Sequence, residues 1–444
     1  MDGPMAQLNK ALLLCVGCVL LVWLSGCSST TVIEPNGFLY AANSFRPGSM
    51  SGFSVTEGAL GHLTNSPFVT EGNAPYSVVA VSTKFLYAGV PATSKGGVIT
   101  RLLGRTLSGS VTGGILMMSI TSQGQNQETL NQSPNTPQMF ASGGDYDPLA
   151  VTPSGNFLYA ADLTTNRLAA FSIDSSKGAL TAIGPQGPPV GTAVGPDPFY
   201  VAVDPQGKFV FVANCDFTNP SSQGSVSVFS INSDGTLAAA PGSPFLLGGG
   251  ASHPVALAVS PDNHFLFVAS LDDKVYVESI SGTGVLADAV SGTPSVSLPA
   301  GTTPVAIAVS IDGGNTVYTG NAGTRTVSFL LNCVQATLPS GCTGVTAPLA
   351  FQNNISVGGT VGVLLADPTS IAAATNISAV NVGHFLYVTD YDHGIIVVFV
   401  VTSTTACSGY PTTTSCSPIP GTLTQNGSTS DTGGASPFGL AFAH

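Results

Sequence analysis

The feature that most constrains this chain is a repeated pair of short alternating segments around a tight turn. Residues 255–269 show it clearly, since VALAVS is followed by Pro261-Asp262-Asn263 and then by FLFVA two residues later. Apolar and polar residues alternate with a period of two, which is typical of strands with one buried face. The same order recurs in residues 77–89, 149–162, 201–214, 305–321 and 370–390. Such recurrence predicts a repeat architecture.

Each repeat unit continues with further strand candidates. Third strands are predicted in residues 167–173, 225–231, 326–331 and 394–400, and fourth strands in residues 177–183 and 234–245. Four strands in units of roughly 50 to 70 residues are the pattern of propeller blades. Only 8% of residues are charged, and 53 Gly and 31 Pro supply turns. We therefore predict an all-β fold, a seven-bladed β-propeller with four antiparallel strands per blade.

The two chain ends are predicted to complete one blade together. An inner-type strand, PFGLAFA at residues 437–443, closes the sequence, and a second-type strand opens the repeat region at residues 36–45. Pairing these segments leaves no open sheet edge between the first and last blades. We expect the propeller domain to span residues 36–444, closed by its C-terminal strand.

The first 27 residues differ from the rest of the chain. Lys10 precedes an apolar stretch from Ala11 to Leu24, which is short for a membrane span and typical of a signal peptide. Residues 24–27, Leu-Ser-Gly-Cys, resemble the lipobox of bacterial lipoproteins, which implies acylation of Cys27. The alternative is an ordinary cleaved signal. We expect a lipoprotein signal peptide in residues 1–27, a tether in 28–35, and a membrane-anchored protein of the cell envelope, periplasmic or at the cell surface.

Cysteine spacing also indicates export. Cys333 and Cys342 have the same separation as Cys407 and Cys416, and both pairs lie in insertions rich in Ser, Thr, Gly and Pro. Two local disulfides in an oxidising compartment are the simplest interpretation. Cys215 is left over, and we expect a buried or unreactive thiol because the adjacent Asp216 would raise its pKa.

Charge limits the partners of this chain. The 23 acidic residues outnumber the 11 basic ones, giving a net charge of -12, and no basic stripe occurs. Nucleic acid is therefore excluded as a predicted partner. The chain has only five arginines, so few guanidinium groups could bind a phosphate. This small number counts against a phosphorylated sugar as the substrate. We expect a monomer.

Candidate ligand residues precede the prolines that open the inner strands. The following Pro should hold each one extended, at the mouth of the central channel. These residues are Ala74, Asp147, Asp197, His253, Thr303, Asp367 and Ser436. The three carboxylates and the imidazole among them could bind a divalent cation or a small carbohydrate-like ligand. The alternative is a set of solvated Asp-Pro turns. Asp392 and His393 are further candidates near this face, with the same alternative.

Several segments resemble one known family. FLYVTD (385–390), FVFVAN (209–214), VSPDNHFLFV (259–268) and the terminal SPFGLAFAH are similar to the seven-bladed lactonase-like propellers, which include 6-phosphogluconolactonase relatives and YVTN-repeat proteins. The resemblance implies an Arg-His pair in an inner strand and an Asn-Glu pair after a second strand. This chain has Phe199-Tyr200 and Asn214-Cys215 at such positions. The family's catalytic residues are therefore not matched.

Two functional hypotheses follow from these observations. The leading one is a lipid-anchored propeller that acts as a binding or scaffolding module for a carbohydrate-like ligand or a protein partner. The alternative is a lactonase that hydrolyses a small sugar lactone, as the family resemblance implies. No cofactor is predicted beyond the divalent cation considered above.

Cys27→Ala should release the protein from the membrane fraction, because the apolar stretch is too short to span a bilayer once the acyl anchor is lost. Fractionation after labelling with a tagged fatty acid measures this. Cys18→Ala, inside the same apolar stretch, is the matched control and should keep the label. Label retained by Cys27→Ala would refute the lipobox interpretation.

Overall fold

The structure of the protein is a computed structural model that describes the propeller region in eighteen segments. These are residues 37–44, 48–56, 58–70, 74–90, 113–122, 128–132, 146–163, 165–184, 191–217, 223–248, 252–310, 315–334, 340–342, 344–357, 384–390, 394–401, 423–433 and 437–443. The predicted signal peptide and tether, including Cys27, lie outside these residues. So do Asp367, Asp392, His393, Cys407 and Cys416.

The described strands form seven antiparallel sheets, one for each blade, which confirms the predicted seven-bladed β-propeller. Blade 1 contains β1 (Gly37–Asn43), β2 (Ser49–Thr56), β3 (Ala59–His62), β4 (Phe68–Val69) and the C-terminal strand β31 (Pro437–Ala443). Blade 2 contains β5 (Ser77–Val81), β6 (Phe85–Val90), β7 (Gly114–Ser122) and β8 (Glu128–Gln132). Blade 3 contains β9 (Tyr146–Val151), β10 (Phe157–Asp162), β11 (Arg167–Ile173), β12 (Leu180–Ile183) and β13 (Thr192–Ala193).

The remaining strands follow in chain order. Blade 4 contains β14 (Pro198–Val203), β15 (Phe209–Asn214), β16 (Ser225–Ile231), β17 (Leu237–Ala239) and β18 (Phe245–Leu246). Blade 5 contains β19 (Pro254–Val259), β20 (Phe265–Ser270), β21 (Lys274–Ile280), β22 (Leu286–Asp288) and β23 (Ser295–Ser297). Blade 6 contains β24 (Pro304–Val309), β25 (Thr316–Asn321), β26 (Thr326–Asn332) and β27 (Leu349–Ser356). Blade 7 contains β28 (His384–Asp390), β29 (Ile395–Val401) and β30 (Leu423–Asp431).

Each blade is a meander from the inner strand outward. In blade 4 the order is β14-β15-β16-β17, and the short β18 pairs with the outer part of β16. Blade 7 has three strands in the described part of the chain, because the first part of the repeat predicted at residues 370–390 lies outside it. The meander places the second-to-third-strand loops and the entries to the inner strands on one face of the propeller.

The chain ends close the ring as predicted. β31 pairs antiparallel with β1, so that Leu39 lies opposite Phe442 and Ala41 lies opposite Leu440. The pairing makes β31 the inner strand of blade 1. The sheet edge that β1 would otherwise expose is therefore covered.

Neighbouring blades are joined by a recurring contact between an aromatic ring and a glycine. A Phe at or next to the start of a second strand lies against the glycine in the turn between the third and fourth strands of the next blade. The pairs are Phe85–Gly178, Phe157–Gly235, Phe209–Gly284 and, across the closure, Phe385–Gly58. A Cβ on any of these glycines would come within 2.1 to 2.8 Å of the Phe ring. Tyr87 and Tyr159 add hydrogen bonds, since their hydroxyls donate to the Gly178 and Gly235 carbonyls at 2.6 and 3.1 Å.

The described cysteines agree with the sequence interpretation. Cys333 and Cys342 form a disulfide in the insertion between β26 and β27, beside a short 3-10 turn at Ser340–Cys342. Cys215 is a free thiol and is buried. No helix in the described part of the chain has the length and apolar character needed to cross a membrane.

Blade 5 contains a buried carboxyl group with one oxygen that has no partner in the described part of the chain. Glu278 on β21 is 4% exposed, and its Oε1 has no hydrogen-bond partner among the described residues. Burial, and to a lesser extent the charge of Asp288 on the neighbouring strand, raise the pKa of Glu278 from 4.5 to about 7. Glu278 and Asp288 are direct cross-strand partners. The fold therefore favours the protonated form of Glu278.

Gly58→Ala should lower the melting temperature more than Gly292→Ala does. Both glycines have left-handed φ, at 81° and 78°, so both variants carry the backbone cost of about 1–2 kcal/mol. A Cβ added at Gly58 would collide with the Phe385 ring, whereas a Cβ added at Gly292 would meet open space. Overpacking at Gly58 should add about 1–3 kcal/mol. Equal melting temperatures for the two variants would mean that the Phe385–Gly58 contact does not stabilise the closure.

Glu278→Gln should weaken the dependence of stability on pH. The folded pKa lies above the unfolded one, so the folded chain holds more protons between pH 4.5 and about 7, and the free energy of unfolding falls as the pH rises through this window. The gap between the pKa values corresponds to about 3 kcal/mol. Denaturant unfolding between pH 4 and about 8 measures it. Asp288→Asn, which removes only the neighbouring charge, should keep most of the fall, and an unchanged fall in Glu278→Gln would contradict the assignment.

Candidate active site

Each described inner strand from blade 4 to blade 6 begins with a β-bulge. The pairing register shifts between Pro198 and Tyr200 in β14, and the same shift occurs after Pro254 in β19 and after Pro304 in β24. One extra residue is accommodated at each entry, and Phe199 is that residue in blade 4. Bulges turn a strand locally and change the direction of its side chains. The entries to the inner strands are thus shaped differently from regular sheet.

The residues before the inner-strand prolines are not all extended, which corrects the sequence expectation. Asp197 and Thr303 have left-handed φ values of 49° and 47°. The preceding blade fixes them, because the Asp197 amide donates to Asn166 Oδ1 at 3.1 Å and the Thr303 amide donates to Asp273 Oδ1 at 2.6 Å. These hydrogen bonds offset the cost of the left-handed backbone. They thereby override the preference for an extended conformation that the following Pro imposes.

The backbone of Cys215 connects two of the predicted site residues. Its amide donates to the Asp197 carbonyl at 3.0 Å, and its carbonyl lies 2.9 Å from Nδ1 of His253. A carbonyl oxygen only accepts hydrogen bonds, so Nδ1 must carry the proton. The neutral imidazole therefore keeps its lone pair on Nε2. His253 is half-buried, and its ring orientation is set by the loop after β15.

Asp197 provides a buried acceptor with unused capacity. The residue is 8% exposed, and its Oδ2 has no hydrogen-bond partner among the described residues. A buried carboxylate oxygen without a partner carries an unmet desolvation cost. A hydrogen-bond donor that reached this oxygen would meet that cost.

Aromatic rings line the same part of the mouth. Phe217 is nearly parallel to the His253 ring, with 6.4 Å between ring centroids and an interplanar angle of 8°. Phe199 meets Phe217 edge-on at 5.4 Å. All three side chains are half-buried. The bulged residue of β14 therefore extends the apolar surface next to the imidazole, and this surface suits the carbon face of a small ring.

Cys215 itself is not a suitable nucleophile. Its side chain is buried, and burial raises the pKa of the thiol well above its usual range, with further contributions from the negative charges of Asp197 and Asp216. The thiolate that a nucleophile requires is therefore strongly disfavoured. The expectation of a buried thiol is confirmed, and the contribution of this residue to the site comes from its backbone.

The amides that end the second strands serve the fold. Asn43, Asn214 and Asn321 are buried, and each donates from Nδ2 to hydroxyl groups on the facing third strand. The acceptors are Ser49 and Ser51 for Asn43, Ser225 and Ser227 for Asn214, and Thr326 and Ser328 for Asn321. These bonds hold the base of each loop, so the loop residues beyond them, such as Cys215, keep fixed positions.

Only part of the predicted ring of mouth residues is described. Asp197 and His253 are brought together, as stated above. Asp147 lies in β9, but its side chain is not described, and Asp367, Asp392 and His393 lie outside the described residues. No three His, Cys, Asp or Glu side chains in the described part of the chain are close enough to hold a metal ion. Sequence reasoning missed Asn166 and Phe217, which lie in the loops between the second and third strands of blades 3 and 4.

Fold and site together define a seven-bladed propeller with a polar and aromatic site where blades 3, 4 and 5 meet at one face. The family model described as "Lactonase, 7-bladed beta-propeller" matches residues 105–420. The chain belongs to this lactonase family of seven-bladed β-propellers.

Two relatives agree with that membership, and one solved structure shares the fold. A 6-phosphogluconolactonase of Klebsiella pneumoniae (strain 342) is 29% identical over 285 residues, which cover 62% of this chain and 74% of the relative. A second one, from K. pneumoniae subsp. pneumoniae, is 30% identical over 150 residues, covering 34% of this chain and 40% of the relative. The crystal structure of a putative 6-phosphogluconolactonase from Bacteroides uniformis has a TM-score of 0.60 at 16% identity, covering 93% of this chain and all of that one.

These findings correct the leading functional hypothesis. A binding or scaffolding module was expected because the catalytic pairs of the family are not matched at Phe199-Tyr200 and Asn214-Cys215. The family match and the names of the relatives support the alternative, a lactonase, better. The mismatch at those pairs means that any catalytic residues in this chain must be sought from its own geometry.

Proposed function

We propose that this protein hydrolyses the lactone of a small sugar acid, with His253 as the general base. The observation that carries the proposal is the bond between His253 Nδ1 and the Cys215 carbonyl, which leaves Nε2 free to accept a proton. The buried, unpartnered Oδ2 of Asp197 lies in the same loop cluster. Membership in the lactonase family supports the same reaction class.

The reaction needs no group beyond water and the imidazole. Nε2 of His253 takes a proton from a water molecule as the water oxygen attacks the lactone carbonyl carbon. The resulting tetrahedral intermediate collapses with cleavage of the ring carbon–oxygen bond. The imidazolium returns the proton to the departing ring oxygen, which becomes a hydroxyl group, and the carboxylic acid product then ionises. The bond from Nδ1–H to the Cys215 carbonyl stabilises the imidazolium that forms during this cycle.

Substrate orientation is assigned to Asp197 and Phe217. Asp197 Oδ2 would accept a hydrogen bond from a ring hydroxyl, and thereby discriminate against analogues that lack this hydroxyl. Phe217, held parallel to the imidazole, would support the carbon face of the ring.

We further propose that the protein works outside the cytoplasm, anchored through Cys27. The apolar stretch from Ala11 to Leu24 and the lipobox-like residues that follow support this location. The Cys333–Cys342 disulfide agrees with an oxidising compartment. On this proposal, the enzyme hydrolyses lactones in the cell envelope.

His253→Asn is the sharpest test of the catalytic assignment. The Asn amide can still donate to the Cys215 carbonyl, but it cannot act as a base, so kcat on D-glucono-1,5-lactone should fall about 10²- to 10⁴-fold. Hydrolysis is followed in a pH-stat after subtraction of the spontaneous rate. Melting temperature is measured alongside to confirm that the fold is retained.

The matched control is His264→Asn. His264 lies on the opposite face, in the turn between β19 and β20, and its side chain is 70% exposed. This variant should hydrolyse the lactone like the wild type. Wild-type rates no higher than the spontaneous rate would reject the lactonase proposal, and undiminished turnover in His253→Asn would reject the assigned base.

A further inference from the structure

We propose that Ser270 is a positioning residue for His253, because its buried hydroxyl group holds the backbone from which the imidazole extends. The inference rests on the proposed role of His253 as the base and adds a residue that acts through it. The test reads the imidazole directly as well as the rate, so a failure of this inference and a failure of the lactonase proposal can be told apart.

The entries to blades 4 and 6 are each held by a side chain from the preceding blade. The amide of Asp197 donates to Asn166, which directly precedes β11. The amide of Thr303 donates to Asp273, which directly precedes β21. Asp197 and Thr303 both have left-handed φ. The neighbouring blade therefore fixes the backbone at these two entries.

The entry to blade 5 is held from within its own blade. The His253 amide donates to the Ser270 hydroxyl oxygen at 2.9 Å, and the Leu271 amide donates to the His253 carbonyl at 3.1 Å. His253 does not share the left-handed φ of the other two entry residues. Ser270 is 0% exposed and lies opposite Pro254 in the pairing of β19 with β20. Its hydroxyl group thus ties the backbone of His253 to the second strand.

The residue before the third strand of blade 4 differs from its counterparts in blades 3 and 5. Gly224 directly precedes β16, the position that Asn166 and Asp273 occupy before β11 and β21. It has no side chain that could accept an amide, and its own amide donates to the Ser252 carbonyl at 2.8 Å. A Cβ at Gly224 would lie 2.2 Å from Cδ of Pro254, so the entry to blade 5 packs directly on this glycine. The arrangement seen at blades 4 and 6 therefore cannot form at this entry.

The last residue of the second strand provides the acceptor instead. Ser270 ends β20, at the position that Asn214 holds in β15 and Asn321 in β25. Those two amides donate to hydroxyl groups on the third strand of their own blade, at 2.7 to 3.0 Å. The shorter side chain of Ser270 accepts the amide of the residue that carries the proposed base. The serine at this position thus serves the entry to its blade.

The direction of the imidazole depends on this backbone. Nδ1 of His253 reaches the Cys215 carbonyl of blade 4 at 2.9 Å, and this contact confines the proton to Nδ1. Replacing Ser270 by Ala leaves the backbone amide of His253 without its acceptor, which is unfavourable. A movement of the entry that gives this amide a new partner also moves the Cα that carries the ring. We expect the bond to Cys215 to weaken and both tautomers of the imidazole to be populated.

The first test reads the tautomer of His253 by NMR in Ser270→Ala. The full chain is labelled with isotopic nitrogen in its histidines and studied at about pH 8, where an ordinary imidazole is neutral. The His253 resonances are identified as those missing from His253→Asn. The wild type should show the proton on Nδ1, whereas Ser270→Ala should show resonances averaged between the two tautomers.

The second test measures hydrolysis of D-glucono-1,5-lactone by the same variant. Because Ser270 acts through His253 and not on the substrate, kcat should fall about five- to tenfold while KM changes little. This loss is smaller than the one expected for His253→Asn, since the base is displaced and not removed.

Ser260→Ala is the matched control in the same blade. Ser260 is 1% exposed, and its hydroxyl oxygen also accepts a backbone amide, that of Phe265, at 2.9 Å. It lies in the turn between β19 and β20, on the opposite face. This variant should also lower the melting temperature, but it should keep the wild-type His253 resonances and kcat.

Unchanged His253 resonances in Ser270→Ala would overturn the inference, and so would an undiminished kcat in that variant when the wild type is active. The same changes in Ser260→Ala would indicate a general effect of lost stability and would overturn it too. A wild type no faster than the spontaneous reaction would reject the lactonase proposal, whereas resonances altered only in Ser270→Ala would still support the positioning of His253.

Discussion

The contact between one blade and the next is the interaction on which the rest of this structure depends. A blade alone is a twisted sheet with two apolar faces, and each face is buried only against a neighbouring blade. The Phe–Gly contact repeats at several of these interfaces, including Phe385–Gly58 between blades 7 and 1. Pairing of β31 with β1 then covers the remaining sheet edge of blade 1. The packing of blade against blade thus buries the apolar faces of the sheets and closes the ring, and the β31–β1 pairing leaves no edge of β1 open to another chain.

The candidate site depends on that arrangement because its bonds cross blade boundaries. Asn166 of blade 3 holds Asp197 at the entry of blade 4, and the Cys215 carbonyl of blade 4 orients His253 at the entry of blade 5. No single blade contains a complete site. Rotation of one blade against another would separate the imidazole from its orienting carbonyl, so rigid packing between blades is what fixes the protonated nitrogen of His253.

Membership in a family and the chemistry of a site are separate matters in this chain. The fold and the family match point to lactones, yet the pairs that the resemblance implied are replaced by Phe199-Tyr200 and Asn214-Cys215. The bulge at Phe199 and the backbone of Cys215 instead contribute shape and hydrogen bonds. A propeller can relocate polar groups in this way because its loops vary while the sheets that carry them stay constant. The resulting site combines the buried Asp197 carboxyl group with the His253 imidazole.

The sequence by itself determined the blades, because alternation with a period of two, turns at regular spacing and a lone inner strand at residues 437–443 allow few other folds. It also singled out Asp197 and His253 through the prolines that follow them. The left-handed backbone of Asp197, the tautomer of His253 and the role of the Cys215 carbonyl were decided only by the tertiary structure. Those features arise from hydrogen bonds between residues 31 and 38 positions apart, which join neighbouring blades, and no local pattern encodes such pairs.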